Sequence, residues 1–336
     1  MRAFACGNCR QLLFFENSVC LRCGKPLGFG PERLELVVLG DADGGADRRR
    51  RCANAGLASC NWMLAPGDPH ELCRSCRLTR TRPADGDPAA LEAFARAEGA
   101  KRRLLFELLD LGLPVDEQRL RFDLLSSSAE PVVTGHNDGL ITIDLAESDD
   151  MRREQRRAEL GEPYRTMLGH FRHEIAHYYW PILVERSPTR LERWRRLFGD
   201  ERADYNAALE RHYADGPPPD WSQHHVSRYA AMHPWEDWAE TFAHYLHIRD
   251  TLQTAAAFGL FVTGPLRVPD RALMSAPGIE ADDESIDSLI ASWLPLTYAL
   301  NAVNRSMGRD DLYPFTLAPK VIEKLGYAHD GVRAGA

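Results

Sequence analysis

The sequence predicts an α+β chain in two parts: a small cysteine-rich module, then a mainly helical domain with a small antiparallel sheet near its start. Three observations carry this. All eight cysteines lie before residue 77 and none in the remaining 260 residues. Two short stretches of alternating apolar residues flank a turn signal between residues 120 and 145. From Met151 onward apolar residues recur mainly at helical spacing. A few strands followed by helices is the order of an α+β fold.

Composition fits an ordinary enzyme-sized chain: 336 residues, 44% apolar and 27% charged, are enough for a sizeable core under a charged surface. No run approaches 18 uninterrupted apolar residues. The N-terminus, Met1-Arg2-Ala3-Phe4-Ala5-Cys6, lacks the apolar stretch of a signal peptide. The expectation is therefore a cytoplasmic chain without a membrane span. In a reducing compartment, clustered thiols point to metal rather than disulfides.

Residues 1–82 form the cysteine module. Cys6-x-x-Cys9 and Cys20-x-x-Cys23 are two knuckles ten residues apart, a spacing that lets a short hairpin bring four thiolates into one tetrahedron. Gly7 and Gly24 ease the turns. Cys52, Cys60, Cys73 and Cys76 contain one true knuckle, since seven residues separate the first two; they suggest a second zinc, with His70 as a substitute ligand. Modules this small bury too little surface to fold alone, so both ions read as structural zinc.

Arg48-Arg49-Arg50-Arg51 raises the question of nucleic acid. Residues 1–82 hold thirteen basic and eight acidic side chains, a net of +5, and each tetrathiolate zinc site adds −2. The remaining chain carries −13. An acidic body repels phosphate backbones, so docking to a protein partner suits the module better than binding nucleic acid.

The second domain spans 83–336. Pro83 to Pro88 reads as a linker, and Ala89 to Leu111 as a helix stopped by Gly112 and Pro114. Leu120, Phe122 and Leu124, then Ile141, Ile143 and Leu145, alternate with polar residues around Asn137-Asp138-Gly139, which predicts two antiparallel strands. Leu140–Leu145, as an apolar edge strand, could receive an extended peptide by strand addition. Leu191–Tyr213, Trp235–Phe258, Ile286–Met307 and Pro319–Leu325 are the clearer helical segments beyond.

Between them lies Phe171-Arg172-His173-Glu174-Ile175-Ala176-His177-Tyr178, on a helix for which Pro163 suits a first turn and which Pro181 interrupts. Its His-Glu-x-x-His core is a zinc-hydrolase signature: positions i and i+4 share a face, so His173 and His177 can bind one ion while Glu174 faces its water as general base. A third protein ligand is needed. A metzincin would supply His-x-x-Gly-x-x-His, but Trp180 and Leu183 stand at the required glycine and histidine positions, which excludes that class. His233-Pro234-Trp235-Glu236-Asp237-Trp238-Ala239-Glu240-Thr241-Phe242-Ala243-His244 offers two carboxylates on one face, Glu236 and Glu240, extended a turn further by His244. Helical spacing alone does not choose between them.

These segments resemble a family of bacterial zinc-binding metallopeptidases with an N-terminal zinc ribbon. The resemblance covers nearly the whole chain, through Cys6-Gly7-Asn8-Cys9, Phe14 to Cys20, Cys60-Asn61-Trp62, Cys73 to Leu78, Gly169 to His177 and Glu236 to Ala243. It implies a zincin-like body. Tyr229-Ala230 followed by Glu236 to Glu240 is also similar to the gluzincin pattern of anthrax lethal factor. That likeness implies Glu236 as zinc ligand, Glu240 as the acceptor that orients a ligating imidazole, and Tyr229 as the hydroxyl stabilising the oxyanion, with His233 the runner-up.

The function so implied is a zinc-dependent peptidase acting on protein or peptide through a zinc-activated water, with Glu174 as base. The alternative is a zinc-ribbon adaptor whose metallopeptidase-like body binds a partner without cleaving it.

Overall fold

Each cysteine set is threaded through very short hairpins. β1 (Phe4–Ala5) and β2 (Leu12–Leu13) pair antiparallel, as do β3 (Leu27–Gly30) and β4 (Glu35–Val38), and β5 (Arg50–Arg51) and β6 (Met63–Leu64). The first cysteines follow β1 directly, and Cys73 and Cys76 flank or lie in the single helical turn α1 (Arg74–Arg77). The computed structural model describes residues 2–39, 49–127, 131–148, 166–260, 262 and 285–335. Among them, close packing divides the chain into two units, one running through Phe171 and one from Arg172 onward. Thr79–Thr81, at the end of the cysteine-rich stretch, pair with a strand forty residues downstream in the same unit.

That pairing organises the first unit. β7 (Thr79–Thr81) leads through α2 (Pro88–Asp110) to β8 (Arg121–Leu125), which lies parallel to it, so α2 is the crossover of a β-α-β unit. Pro88 opens α2, and the Asp87 carboxylate accepts the Ala90 N–H at 3.0 Å. β9 (Gly135–Asn137) and β10 (Leu140–Asp144) complete a four-stranded sheet in the order β7-β8-β10-β9.

The sheet corrects two expectations. β8 and β10 are parallel, with Phe122 opposite Ile141 and Leu124 opposite Ile143, all four fully buried. The Asp138-Gly139 turn joins β9 to β10 instead; both residues have positive φ, 44° and 86°, the conformation of a two-residue hairpin loop. β10 is consequently paired on both sides, and strand addition there has no free edge. The sheet is mixed rather than antiparallel.

In the module, Phe4, Phe15, Phe29 and Phe106 of α2 pack ring against ring, with Trp62 on Phe29. The buried Asn61 side chain donates to the Phe15 carbonyl while the Asn61 backbone carbonyl accepts the Phe29 N–H at 2.7 Å. α2 also buries an ion pair, Glu98 with Lys101 at 2.6 Å.

The second unit is helical. α3 (Met167–Trp180) carries the His-Glu-x-x-His segment; its start is capped by Thr166, whose hydroxyl accepts the Gly169 N–H at 2.9 Å. Pro163 lies outside the described residues. At Pro181 the α-helix gives way to a π-helical turn, Pro181–Glu185. The segment expected as one helix over Leu191–Tyr213 is two, α4 (Pro188–Phe198) and α5 (Tyr205–Asp215), because Gly199 takes φ 109° and Asp204 caps a new start. After α6 (Trp221–His224) come α7 (Pro234–Ala257), α8 (Ile286–Ser306) and α9 (Pro319–Gly335), the last well beyond the expected Leu325.

Trp194, Phe198, Trp238, Phe242 and Tyr327 form the core between these helices. Two polar links fix α3 against α7: Trp238 Nε1 donates to the Ala176 carbonyl at 2.9 Å, and buried Arg172 pairs with Asp250 at 2.8 Å.

Candidate metal centre

Three groups of potential ligands come together among the described residues: Cys6, Cys9, Cys20 and Cys23; Cys52, Cys60, Cys73 and Cys76; and His173, His177 and Glu236. In the first, Sγ atoms of Cys6 and Cys23 stand 3.8 Å apart and those of Cys9 and Cys20 3.6 Å; in the second, Cys60 and Cys73 are 3.6 Å apart. A tetrahedral zinc with metal–sulfur bonds of ~2.3 Å has edges of about 3.8 Å, so both groups fit a tetrathiolate ion. No disulfide links them.

Within each group some thiols are lowered and others raised by their shared hydrogen bonds, Cys9, Cys73 and Cys76 being the raised ones. The backbone N–H groups of Cys9 and Asn8 lower the Cys6 thiol, and the Lys25 N–H with the Asn8 side chain takes Cys23 down to about 6. In the second group the other three thiols lower Cys52, which also accepts the Cys73 N–H at 3.3 Å. All four of its cysteines are buried, whereas Cys9 and Cys23 of the first are partly exposed. His70 is not a member. It is exposed, with Nδ1 on the Asp68 carboxylate at 2.7 Å, and four thiols leave it no place in the tetrahedron.

The third group is built by α3 and the first turns of α7. One helical turn puts the His173 and His177 rings 5.2 Å apart. α7 begins at Pro234 behind His233, whose Nδ1 accepts the Trp235 N–H at 3.1 Å, and its first turn holds Glu236 and Asp237 where the helix dipole favours carboxylates. His173 lies between the two glutamates: Nε2 is 3.0 Å from Glu236 Oε2, and Nδ1 is 2.8 Å from Glu240 Oε1. His177 Nε2 is 3.7 Å from Glu236 Oε1. Glu236 therefore reaches both imidazoles from the side where their Nε2 atoms converge, while Glu240 occupies the far nitrogen of one.

Burial opposes a charge on His173, but the two glutamates and the nearby charge of Glu174 hold its pKa well above the ordinary imidazole value. Burial likewise opposes ionisation of Glu236 and Glu240, yet contact with His173 holds both below the usual carboxylate range. Two nitrogens and a carboxylate oxygen, each within 4.8 Å of the others, are the donor set of a catalytic zinc.

The remaining expected residues are placed as follows. Glu174 is buried beside His173, on which its charge acts. The Tyr229 ring is 6.1 Å from the His173 ring, in the turn Tyr229–Ala231 just before α7. Burial raises its hydroxyl pKa, with the Glu236 charge next, so it is a proton donor at neutral pH. His233 is committed to the backbone: its Nε2 donates to the Ala203 carbonyl at 3.1 Å while Nδ1 caps α7. His244 pairs through Nδ1 with the Tyr313 hydroxyl at 2.8 Å.

Tyr205 was not foreseen. Its hydroxyl donates to Glu236 Oε1 at 3.1 Å, and its ring lies 5.2 Å from that of His233. Only the break at Gly199 and the Asp204 cap, which make Tyr205 the first residue of a helix, could have marked it in the sequence.

Two cysteine tetrads ahead of a helical body with a two-histidine, one-glutamate cluster define a zinc-binding class of protein. The family models narrow this: residues 90–331 match the family described as "Putative zinc-binding metallo-peptidase", and residues 3–87 a zinc-ribbon domain. The chain belongs to that metallopeptidase family, and it is an α+β protein with an N-terminal zinc ribbon. It is 52% identical over 335 residues to uncharacterized proteins of Mycobacterium tuberculosis and Mycobacterium bovis, covering 98% of this chain and 94% of each relative. No solved structure matches it. No helix among the described residues is long and apolar enough to cross a membrane.

Proposed function

We propose that the chain is a zinc-dependent peptidase in which His173, His177 and Glu236 hold the ion and Glu174 is the general base. The observation that carries the reading is His173, whose two nitrogens are each met by a carboxylate, buried Glu236 on one and half-buried Glu240 on the other. A packing role would not call for a carboxylate on each nitrogen of one buried imidazole, because taking such groups out of water is costly; a ligand with its orienting acceptor does. Zinc held there would supply Lewis acidity toward a peptide carbonyl and lower the pKa of a bound water.

The chain's own groups supply the rest. Glu174 takes the proton of the attacking water and returns it to the departing amine. Tyr229, kept protonated by burial, donates a hydrogen bond to the oxyanion, which is worth roughly 3 kcal/mol for such donors. Glu240 fixes the ring of His173. The same reading assigns three zinc ions per chain, two of them structural in the cysteine tetrads. Eight free thiols suit a reducing cytoplasm.

Casein or a peptide library, incubated with metal-replete protein, should be cleaved in a chelator-sensitive way. Glu174→Gln should retain zinc while turnover falls about 10²- to 10⁴-fold. Near wild-type cleavage by that variant would remove Glu174 as base. A fully metallated wild type that cleaves nothing would favour the adaptor function.

A further inference from the structure

Tyr205 takes no part in that chemistry, yet its hydroxyl donates to Glu236 Oε1. We propose that Tyr205 is a positioning residue for the metal ligand: its hydroxyl holds Glu236 Oε1 and leaves Oε2 as the oxygen offered to the ion. This rests on the assignment of Glu236 as a ligand.

The geometry supports the division of labour between the two oxygens. Oε2 is the one at 3.0 Å from His173 Nε2, whereas Oε1 is 3.1 Å from the Tyr205 hydroxyl and 3.7 Å from His177 Nε2. A carboxylate with one oxygen bonded to a fixed donor is biased toward binding through the other, which favours an open position for substrate and water. The donor is itself fixed. Tyr205 is the first residue of α5, behind the Asp204 cap, and its ring is packed between those of His233 and Trp235, at 5.2 and 6.5 Å. His233 in turn caps α7, the helix that carries Glu236, so donor and acceptor are referenced to one short stretch of backbone. Tyr229 lies against the His173 ring, and its hydroxyl is hydrogen-bonded to that of Tyr205. What sets Tyr205 apart is its direct bond to Glu236.

The test compares Tyr205→Phe with Tyr229→Phe in the full-length protein, both ring-preserving. The readouts are affinity for the third zinc by chelator competition and the absorption spectrum with cobalt(II) at that site. Tyr205→Phe should weaken zinc there by roughly 10- to 100-fold, the usual cost of losing a group that orients a ligand. Its cobalt spectrum should become weaker, as a second carboxylate oxygen enters the coordination shell. Tyr229→Phe, which removes a neighbour of the Tyr205 hydroxyl and leaves the bond to Glu236 in place, should weaken zinc less than Tyr205→Phe does and lose turnover instead. Wild-type affinity and an unchanged cobalt spectrum in Tyr205→Phe would overturn the proposal. So would a loss of zinc matched by an equal loss in Tyr229→Phe, since that would reflect general loosening. None of these readouts requires cleavage, so a failed peptidase assay would leave the metal result standing.

Discussion

The cysteine tetrads and the His173/His177/Glu236 cluster differ in what holds their donors together without an ion. The tetrads sit among strands of two to four residues, which have almost no ladder of their own. The third cluster is carried by helices of 14 and 24 residues, locked by the Trp238–Ala176 bond, the Arg172–Asp250 pair and a shared aromatic core. On the proposed assignment of the three sites, metal in the first case would make the structure and in the second would occupy a structure already made. Zinc-ribbon ions stabilise by folding what would otherwise be open chain, whereas an ion in a preformed site stabilises only by mass action.

The largest effects should come from deleting one ligand on each side, with opposite consequences. Cys60→Ser, in the fully buried tetrad, should cost the module its cooperative fold, since a structural zinc contributes on the order of 10 kcal/mol. Limited proteolysis would then cut within residues 1–82 while the helical body stays intact with its ion. Glu236→Ala should do the reverse: the third zinc is lost, the circular dichroism of the helices persists, and the tetrads stay filled. If Glu236→Ala unfolds the body, that site is no more prebuilt than the ribbons.

Asp250→Ala probes the lock directly. It removes a carboxylate from the buried guanidinium of Arg172, the residue next to His173, and should lower body stability by on the order of 3 kcal/mol. Zinc in the tetrads should not respond. Equal loss of zinc from both kinds of site would break the comparison.

The sequence told these two regions apart unevenly, and for a physical reason. Thiols declare themselves by spacing, because a tetrahedron of four sulfurs needs short loops at fixed intervals, and both tetrads were legible from cysteine positions alone. His173, Glu174 and His177 were legible because one helical turn fixes their relation. The helical body with few strands was legible from periodicity. What was not legible depended on contacts between distant segments. The Asn137-Asp138-Gly139 signal correctly marked a hairpin but could not say which strand entered it, so β8 was paired in the wrong sense. Tyr205 was hidden inside a segment read as one long helix, and its meaning exists only where α5 meets Glu236.

Glu240→Ala should be milder than either ligand deletion. It leaves three donors in place and removes only the acceptor at His173 Nδ1, so the third zinc should bind about 10- to 100-fold more weakly. The order of the two effects is the informative quantity. Measured affinities that fall further in Glu240→Ala than in Glu236→Ala would move the ligand to Glu240, and the case for Tyr205 and Tyr229 would go with it.

The smallest effect separates the regions by their response to acid, and is best measured on Glu236→Ala, whose body carries no ion. The tetrads should fail at low pH by protonation of thiolates, so excess zinc should protect them. The body has a different weakness in His244, buried on α7 against Tyr313. Burial lowers its pKa to about 4, with the Arg172 charge helping and Glu240 opposing. Unfolded, it would titrate near ~6.5. The folded value is the lower one, so the unfolded chain binds more protons as the pH falls; stability is complete above the unfolded pKa and is lost from there down toward 4. From this group alone the loss is about 0.7 kcal/mol between pH 7 and 6 and about 2 kcal/mol by pH 5. Denaturant unfolding of the body across that range should show the slope whether or not zinc is added; His244→Gln should reduce it, the remainder coming from His247 on the same helix, which burial lowers to about 3. A slope that added zinc abolishes would mean that the body, like the ribbons, depends on metal to stand.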